Sequence, residues 1–364
     1  MQTDQSTTNT TTMTDTPTPP ELHRLDAIPD LGALYRRQVL STARRATSAA
    51  WATSAAWATR TTRSSSATRT TRRTRPAPAV TDPRVGYAVP GVRVDPHHLA
   101  AYCQATGFRL HSQLPQLYPY VLSFPLAIAV MDHPDFPFRP VGAVHVSNTC
   151  TQSRPLHLED PLDIEVYARN LRPHRKGLLI DMVTTISADG TPAWHQVSTF
   201  LSVGAAFNAT TPAQVRNRPL DSGRALPAAE WDYHHTASAQ LRFDRANTAA
   251  YAAASGDKNP IHVSAVGAKL FGFRAPIAHG MYTLARMVAF GEHRLPPAVT
   301  ITADFHAPVL LPTTTALYTT LADTPATSPA PTSATPAADV GLVLRDARNP
   351  RKVHVVARTG ASAS

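Results

Sequence analysis

Two cysteines, Cys103 and Cys150, are all that 364 residues carry. They support neither a disulfide framework nor a cysteine zinc site, so a reducing compartment is expected. Long apolar runs are missing too. The longest, Val121–Met131, is interrupted by Ser123 and Pro125 and is too short to span a bilayer. The first 25 residues hold Asp4, Asp15 and Glu21 and no apolar block, which argues against a secretory signal and for a cytoplasmic protein. Neither a phosphate-loop pattern nor a dinucleotide fingerprint occurs. The 16 histidines include no His-x-x-x-His pair, so no nucleotide cofactor or metal site is implied.

Acidic residues are absent between Leu31 and Val80, where ten arginines lie. Residues 1–80 carry a net charge of +6, against +4 for the other 284, so most of the overall +10 sits in one segment. That segment is of low complexity, and the unit Ala-Thr-Ser-Ala-Ala-Trp occurs twice, at 46–51 and 52–57. It has too little apolar surface to offset the entropy of ordering, and reads as a solvated, disordered tail. Two alternatives stay open: an anion-binding arm and a cleaved targeting segment. A nucleic-acid partner is therefore not expected, although the basic tail leaves it open. A short helix fits Leu31–Thr42, with Leu34, Val39 and Leu40 as its apolar positions.

What is present beyond the tail is a repeat. Residues 95–107 (Asp-Pro-His-His-Leu-Ala-Ala-Tyr-Cys-Gln-Ala-Thr-Gly) align without gaps on 244–256 (Asp-Arg-Ala-Asn-Thr-Ala-Ala-Tyr-Ala-Ala-Ala-Ser-Gly). Each reads as a helix with Asp at its N-cap and Gly past its end, and Pro96 takes the first helical position. A β-like run precedes each helix, at Tyr87–Val94 and Thr236–Phe243, and a second helical stretch follows, at Tyr120–Met131 and Met281–Glu292. Strands then close each half. In the first they are Gly142–Asn148, Leu162–Leu171, Gly177–Ser187 and Ala193–Val203, with Asp189-Gly190 as a hairpin turn. In the second they are Ala298–His306, Thr314–Leu321, Val340–Arg345 and Lys352–Arg358, with Asp323–Ala338 as a disordered loop. The chain thus divides into a tail (1–80), a first domain (81–204), a linker (205–230) and a second domain (231–360). Each domain is an α+β unit in which an antiparallel sheet wraps one long helix, and two such sheets can pair edge to edge.

After Gly256 the second copy reads Asp257-Lys258-Asn259-Pro260-Ile261-His262. Asn259 is a good N-cap and Pro260 a good first helical residue. Asp257 then lies in the loop before a helix and His262 in its first turn, so the carboxylate and the imidazole converge. Farther on, the apolar spacing of Met281, Leu284, Ala285 and Val288 starts a helix at Gly280. The open N–H groups of such a start suit a developing oxyanion.

Tyr251, Ser255-Gly256-Asp257, Asn259-Pro260-Ile261-His262, Ala268-Lys269, Gly272-Phe273, Pro276-Ile277 and His279-Gly280-Met281 together resemble the hydratase-2 motif of MaoC-like dehydratases. These are (R)-specific enoyl-CoA hydratases with the hot-dog fold. In the first half, Tyr118-Pro119, Phe124-Pro125-Leu126, Phe136-Pro137-Phe138 and Gly142-Ala143-Val144-His145-Val146 resemble the degenerate N-terminal hot dog of actinobacterial-type 3-hydroxyacyl-thioester dehydratases. The resemblance implies a double hot-dog hydro-lyase. It would add water syn to a trans-2-enoyl thioester of coenzyme A or acyl carrier protein, or run the reverse dehydration of a (3R)-3-hydroxyacyl thioester, within fatty-acid metabolism. Asp257 and His262 would share the acid–base work, and the Gly280 N–H would hold the oxyanion. Asn259, Pro260 and Ser255 would support the loop, with no metal or cofactor needed. His279 would orient its own loop. Lys258, Lys269 and Arg274 could meet coenzyme A phosphates or simply face solvent. In the first half Phe108 stands opposite Asp257 and Gln113 opposite His262, so that copy lacks the acid–base pair and would wall the acyl tunnel instead. A homodimer is an option from the family. Two other readings remain: an acyl-thioester binder without catalysis, and a hot-dog domain tethered to an anionic partner by its tail.

Overall fold

Helix caps and strand alternation in the sequence set most of the element boundaries. The computed structural model describes residues 20–35, 79–138, 143–227, 236–321 and 340–362. In chain order its main elements are β1 (Glu21–Arg24), β2 (Val85–Val92), α1 (Pro96–Thr106), α2 (Tyr118–Asp132), β3 (Ala143–Gln152), β4 (Leu162–His174), β5 (Gly177–Ala188) and β6 (Thr191–Val203). The second half follows with β7 (Ala239–Phe243), α3 (Arg245–Ser255), α4 (Pro260–Val263), α5 (Ala265–Leu270), α6 (Gly280–Phe290), β8 (Val299–Phe305), β9 (Thr313–Leu321), β10 (Val340–Asp346) and β11 (Val353–Ala361).

The repeated helices α1 and α3 form as their caps dictate. The Asp95 carboxylate accepts from the His97 N–H, and Asp244 and Asn247 exchange a reciprocal pair of bonds. Gly107 and Gly256 end the helices in the left-handed region, at φ 90° and 69°. The two helices lie side by side. Tyr102 and Tyr251 have ring centroids 6.3 Å apart, and His98 Nε2 sits 2.7 Å from the Ala254 carbonyl. His97 is exposed and His98 half-buried, whereas His234 and His235 fall outside the described residues. Cys103 is a buried core residue of α1, and neither cysteine forms a disulfide.

The strands form one continuous sheet in the order β1-β2-β4-β5-β6-β3-β8-β11-β10-β9-β7. Read outward from the centre, both halves repeat one five-strand pattern, as a duplicated unit should. Two separate sheets were expected, with edge pairing as an option. The antiparallel ladder from Ser147↔Asp304 to Gln152↔Val299 makes that pairing real and removes two exposed edges. Facing hydroxyls at Thr151 and Thr300, 3.0 Å apart, line this seam. The apolar helix α2 is buried nearly along its whole length, and the Asp189-Gly190 turn joins β5 to β6 with both residues at positive φ.

The tail boundary needs correction. Residues 20–35 belong to the fold, although they fall within the 1–80 segment read as tail. Strand β1 pairs in parallel with β2, and residues 31–35 form a helical turn that buries Leu31 and Leu34 in the main core. Leu25, Ile28, Leu31 and Leu34 supply an apolar residue every three positions, which the average composition of the segment hides. The rest of the helix expected at Leu31–Thr42, the arginine-rich stretch and the Asp323–Ala338 loop lie outside the described residues. Within the linker, the Ala225 and Leu226 amides bond the Asp304 carboxylate at 2.8 and 3.2 Å, and Asp221 pairs with Arg172.

Removing the α3 cap tests this account of the helix. Asp244→Ala should cost about 1 kcal/mol and lower the thermal midpoint by about 2–4 °C. Thermal unfolding followed by circular dichroism reads it, and an unchanged midpoint would mean that packing alone holds α3.

Candidate active site

Gly256 turns the chain out of α3, and the next residues wind back on themselves. The Asp257 N–H donates to Ser255 Oγ at 3.2 Å, and the Asn259 N–H to Asp257 Oδ1 at 3.1 Å. Asn259 caps α4, its Oδ1 accepting from the Ile261 N–H at 3.3 Å, and Pro260 is the first helical residue. His262 follows within that turn. Its Nδ1 lies 2.8 Å from the Ile277 carbonyl oxygen. A carbonyl only accepts, so Nδ1 carries the proton and Nε2 carries the lone pair.

The segment ahead of α6 closes the site from the other side. His279 Nε2–H donates to the Asp257 main-chain carbonyl at 2.9 Å and stands 3.8 Å from Asp257 Oδ2. The His262 and His279 rings stack with centroids 3.7 Å apart. Gly280 opens α6, whose N-cap residue His279 makes no side-chain cap, so the first N–H groups of the helix have no partner within it. A Cβ at Gly280 would come within 3.2 Å of the Phe305 ring, so the position suits a residue without one. The fold therefore brings Ser255, Asp257, Asn259, Pro260, His262 and Gly280 to one place.

They face a cavity of about 930 Å³, whose lining includes Tyr120, Phe124, Ile128, Met131, His145 and Phe200 from the first half. That half carries no acid–base pair and supplies part of the cavity wall. Lys258, Lys269 and Arg274 are exposed. The sequence reading gave no role to Tyr120, His145 or Tyr35. Tyr35 comes from the segment read as tail, and its hydroxyl donates to Asp257 Oδ1 at 2.8 Å. The apolar spacing of Leu31 and Leu34 just ahead of it was the available signal.

Burial dominates the electrostatics. It pushes His262 down to about 3, reinforced by His279, and it pushes His145 down to about 3 as well. His279 is lowered by the same cause. Burial alone would raise the Asp257 carboxyl, but the two histidines, the Tyr35 hydroxyl and the Asn259 amide outweigh it and hold it below the usual range. At neutral pH the site thus contains a carboxylate beside a neutral imidazole with a free lone pair. Donor atoms of Asp257, His262 and His279 lie within 4.8 Å of one another, the one such three-residue group among the described residues. That arrangement can hold and move a proton on a small bound molecule.

Comparison with known proteins finds relatives of the chain and of its fold. The family described as MaoC like domain matches residues 227–328. The 3-hydroxyacyl-thioester dehydratase X of Mycobacterium tuberculosis is 42% identical over 225 residues, which cover 62% of this chain and 76% of that protein. The crystal structure of HtdX from the same organism superposes with a TM-score of 0.62 at 35% identity, over 76% of this chain and all (100%) of the other. A MaoC-like dehydratase from Phytophthora capsici shares the fold at 18% identity, with a TM-score of 0.55 over 78% of this chain and 97% of its own.

The half-buried neutral histidines make stability depend on pH. His262 and His145 titrate near 3 in the fold but at about 6.5 in the unfolded chain. Between those values the unfolded chain binds protons that the fold refuses, so stability rises with pH there and is lost as pH falls. Denaturant unfolding should show the free energy of unfolding dropping steadily from about pH 6.5 downward, by up to about 1.4 kcal/mol per pH unit for each such histidine. His145→Gln should flatten that slope. A slope untouched by this substitution would place the acid sensitivity elsewhere.

Proposed function

The chain belongs to the MaoC-like dehydratase family, and from that premise we propose that Asp257 and His262 are the acid–base pair of a hydro-lyase. The enzyme interconverts 3-hydroxyacyl thioesters and 2-enoyl thioesters by losing or adding water. The observation that carries the site assignment is the lone pair on His262 Nε2, fixed by the Ile277 carbonyl, beside an ionised Asp257 and the open amide end of α6.

In hydration, a water sits between Asp257 and His262. His262 Nε2 takes one of its protons as the oxygen bonds to C3 of the enoyl chain. The C2–C3 electron pair moves onto the thioester oxygen, and the enolate that forms is met by the Gly280 N–H. The imidazolium then returns its proton to C2 from the same face. The products are a hydroxyl at C3, a hydrogen at C2 and a neutral imidazole, so the addition is syn and balanced. Dehydration is the reverse, with His262 removing the C2 proton and returning it to the departing hydroxyl. The Asp257 carboxylate stabilises the transient imidazolium. No metal is required, because the thioester carbonyl already acidifies C2. The apolar wall shared by both halves takes the alkyl chain, and the thioester carrier is coenzyme A or an acyl carrier protein. The complete pair argues against a purely binding role.

Loss of conjugated-thioester absorbance with a series of trans-2-enoyl-CoA substrates measures the activity. Asp257→Asn and His262→Gln should each lower kcat/KM by about 10²–10⁴ while the far-ultraviolet circular dichroism stays that of the wild type. Prior dialysis against EDTA should leave the wild-type rate unchanged. Wild-type rates in both variants would remove the site assignment. A wild type inert on every chain length, and on acyl-carrier-protein thioesters, would remove the proposed reaction.

A further inference from the structure

Tyr35 reaches the site from 222 residues away in sequence, and several contacts hold it there. Strand β1 pairs with β2 from Glu21↔Val85 to Arg24↔Ala88, and the Leu25 N–H extends this to the Ala88 carbonyl at 2.8 Å. The Asp30 side chain accepts from the Gly32 N–H at 2.7 Å and its carbonyl from the Leu34 N–H at 3.2 Å, which shapes the helical turn. Leu31 and Leu34 are buried in the main core. Leu31 Cδ1 occupies the space above Gly256, only 2.6 Å from where a Cβ would stand. The segment therefore seats directly on the residue before Asp257.

Asp257 Oδ1 accepts from two groups, the Asn259 N–H at 3.1 Å and the Tyr35 hydroxyl at 2.8 Å. One comes from the local turn and one from outside it. A carboxylate held only by its own turn can still swing about the Cβ–Cγ bond. A second donor on the same oxygen fixes that rotation and leaves Oδ2 as the oxygen directed toward the histidines. Resting on the acid–base reading above, we propose that Tyr35 is a positioning residue of the active site, its hydroxyl pinning one oxygen of Asp257 so that the other is presented to the reacting water, and that the 20–35 segment serves to hold it there.

Tyr35 is not a proton donor in the reaction. Burial and the neighbouring carboxylate push its hydroxyl far above the ordinary phenol range, so it gives a hydrogen bond and keeps its proton. Besides Tyr35, the titratable groups around Asp257 are His262 and His279 from its own motif, Tyr251 from α3, and Tyr120 and His145 from the first half. Both histidines of the motif are neutral at working pH. His279 and His262 lower the Asp257 carboxyl through their charge where they are protonated; while they are neutral, the hydrogen-bond donors left to favour the ionised carboxylate are Tyr35 and the Asn259 amide, and removing one of them should raise its titration.

Tyr35→Phe in the full chain deletes one oxygen atom and leaves the packing. Its kcat should fall about tenfold with KM within about twofold, and the acidic limb of the pH–kcat profile should move up by about one unit. An unchanged thermal midpoint checks the fold. A readout independent of turnover is the carbon-13 titration of the Asp257 side-chain carboxyl, assigned by its loss in Asp257→Asn. Its midpoint should rise in Tyr35→Phe. An unmoved midpoint, or an unchanged kcat in an active enzyme, overturns the proposal. If the wild type turns over no enoyl thioester while the carboxyl midpoint moves as expected, the proposed reaction fails and the positioning contact stands.

Discussion

The Ile277 carbonyl decides what His262 can do. By accepting the Nδ1 proton at 2.8 Å it fixes one tautomer of the ring and leaves the lone pair on Nε2. That carbonyl is itself held in place. The Ile277 N–H donates to the Ile261 carbonyl at 3.1 Å, the Ala278 N–H to Val309 at 2.9 Å, and the Leu311 N–H to Pro276 at 2.8 Å. Two residues farther on, His279 bonds the main chain of Asp257. One extended segment thus sets the tautomer of His262 and the position of the carboxylate loop. It then leads into the helix whose amide end faces the thioester oxygen in the proposed reaction. An error of one residue in that segment would misplace all three.

Duplication explains why so little chemistry needs so much protein. Both halves repeat the strand order and the capped helix, and α1 and α3 meet through Tyr102 and Tyr251. The first copy has Phe108 and Gln113 where the second has Asp257 and His262. Freed from carrying the pair, it offers α2, a helix apolar and buried on nearly every side, to the cavity. Phe124, Ile128 and Met131 of α2 line that space. An isolated helix of this composition would be a liability in water. Here it is covered by the sheet on one side and faces the cavity on the other.

Local signals made most of this legible. Asp at an N-cap, Gly in the left-handed region, alternating apolar residues and an Asp-Gly turn each act within a few residues, and the structure follows them to within a few positions. The Asp257–His262 loop was legible for the same reason, since Asn259 and Pro260 fix the turn that brings the two together. Tyr35 was not. Its role depends on a contact across 222 residues, and it lies in a segment whose average composition is that of a disordered chain. Four apolar residues spaced by three carry the order there, and averaging over the arginine-rich remainder buries them. The same holds for His145, whose place beside Phe200 and Phe305, with centroids 4.6 and 4.8 Å away, follows from sheet pairing and not from any local motif.

Burial acts on both members of the pair, and the neighbouring histidines and hydrogen-bond donors around Asp257 separate them. Desolvation favours the neutral form of a carboxyl and of an imidazole alike. Asp257 receives two hydrogen-bond donors on Oδ1, which favour its anion. His262 receives one acceptor at Nδ1, and burial keeps it neutral. The pair therefore presents two acceptors, Oδ2 and Nε2, and no donor. A water held by both must donate both of its hydrogens, which turns its oxygen lone pairs outward. In the proposed reaction that is the orientation needed at C3. Had burial won at both residues, a protonated carboxyl would donate to the water and tie up a lone pair. The donors on Oδ1 therefore shape the nucleophile as well as the carboxylate.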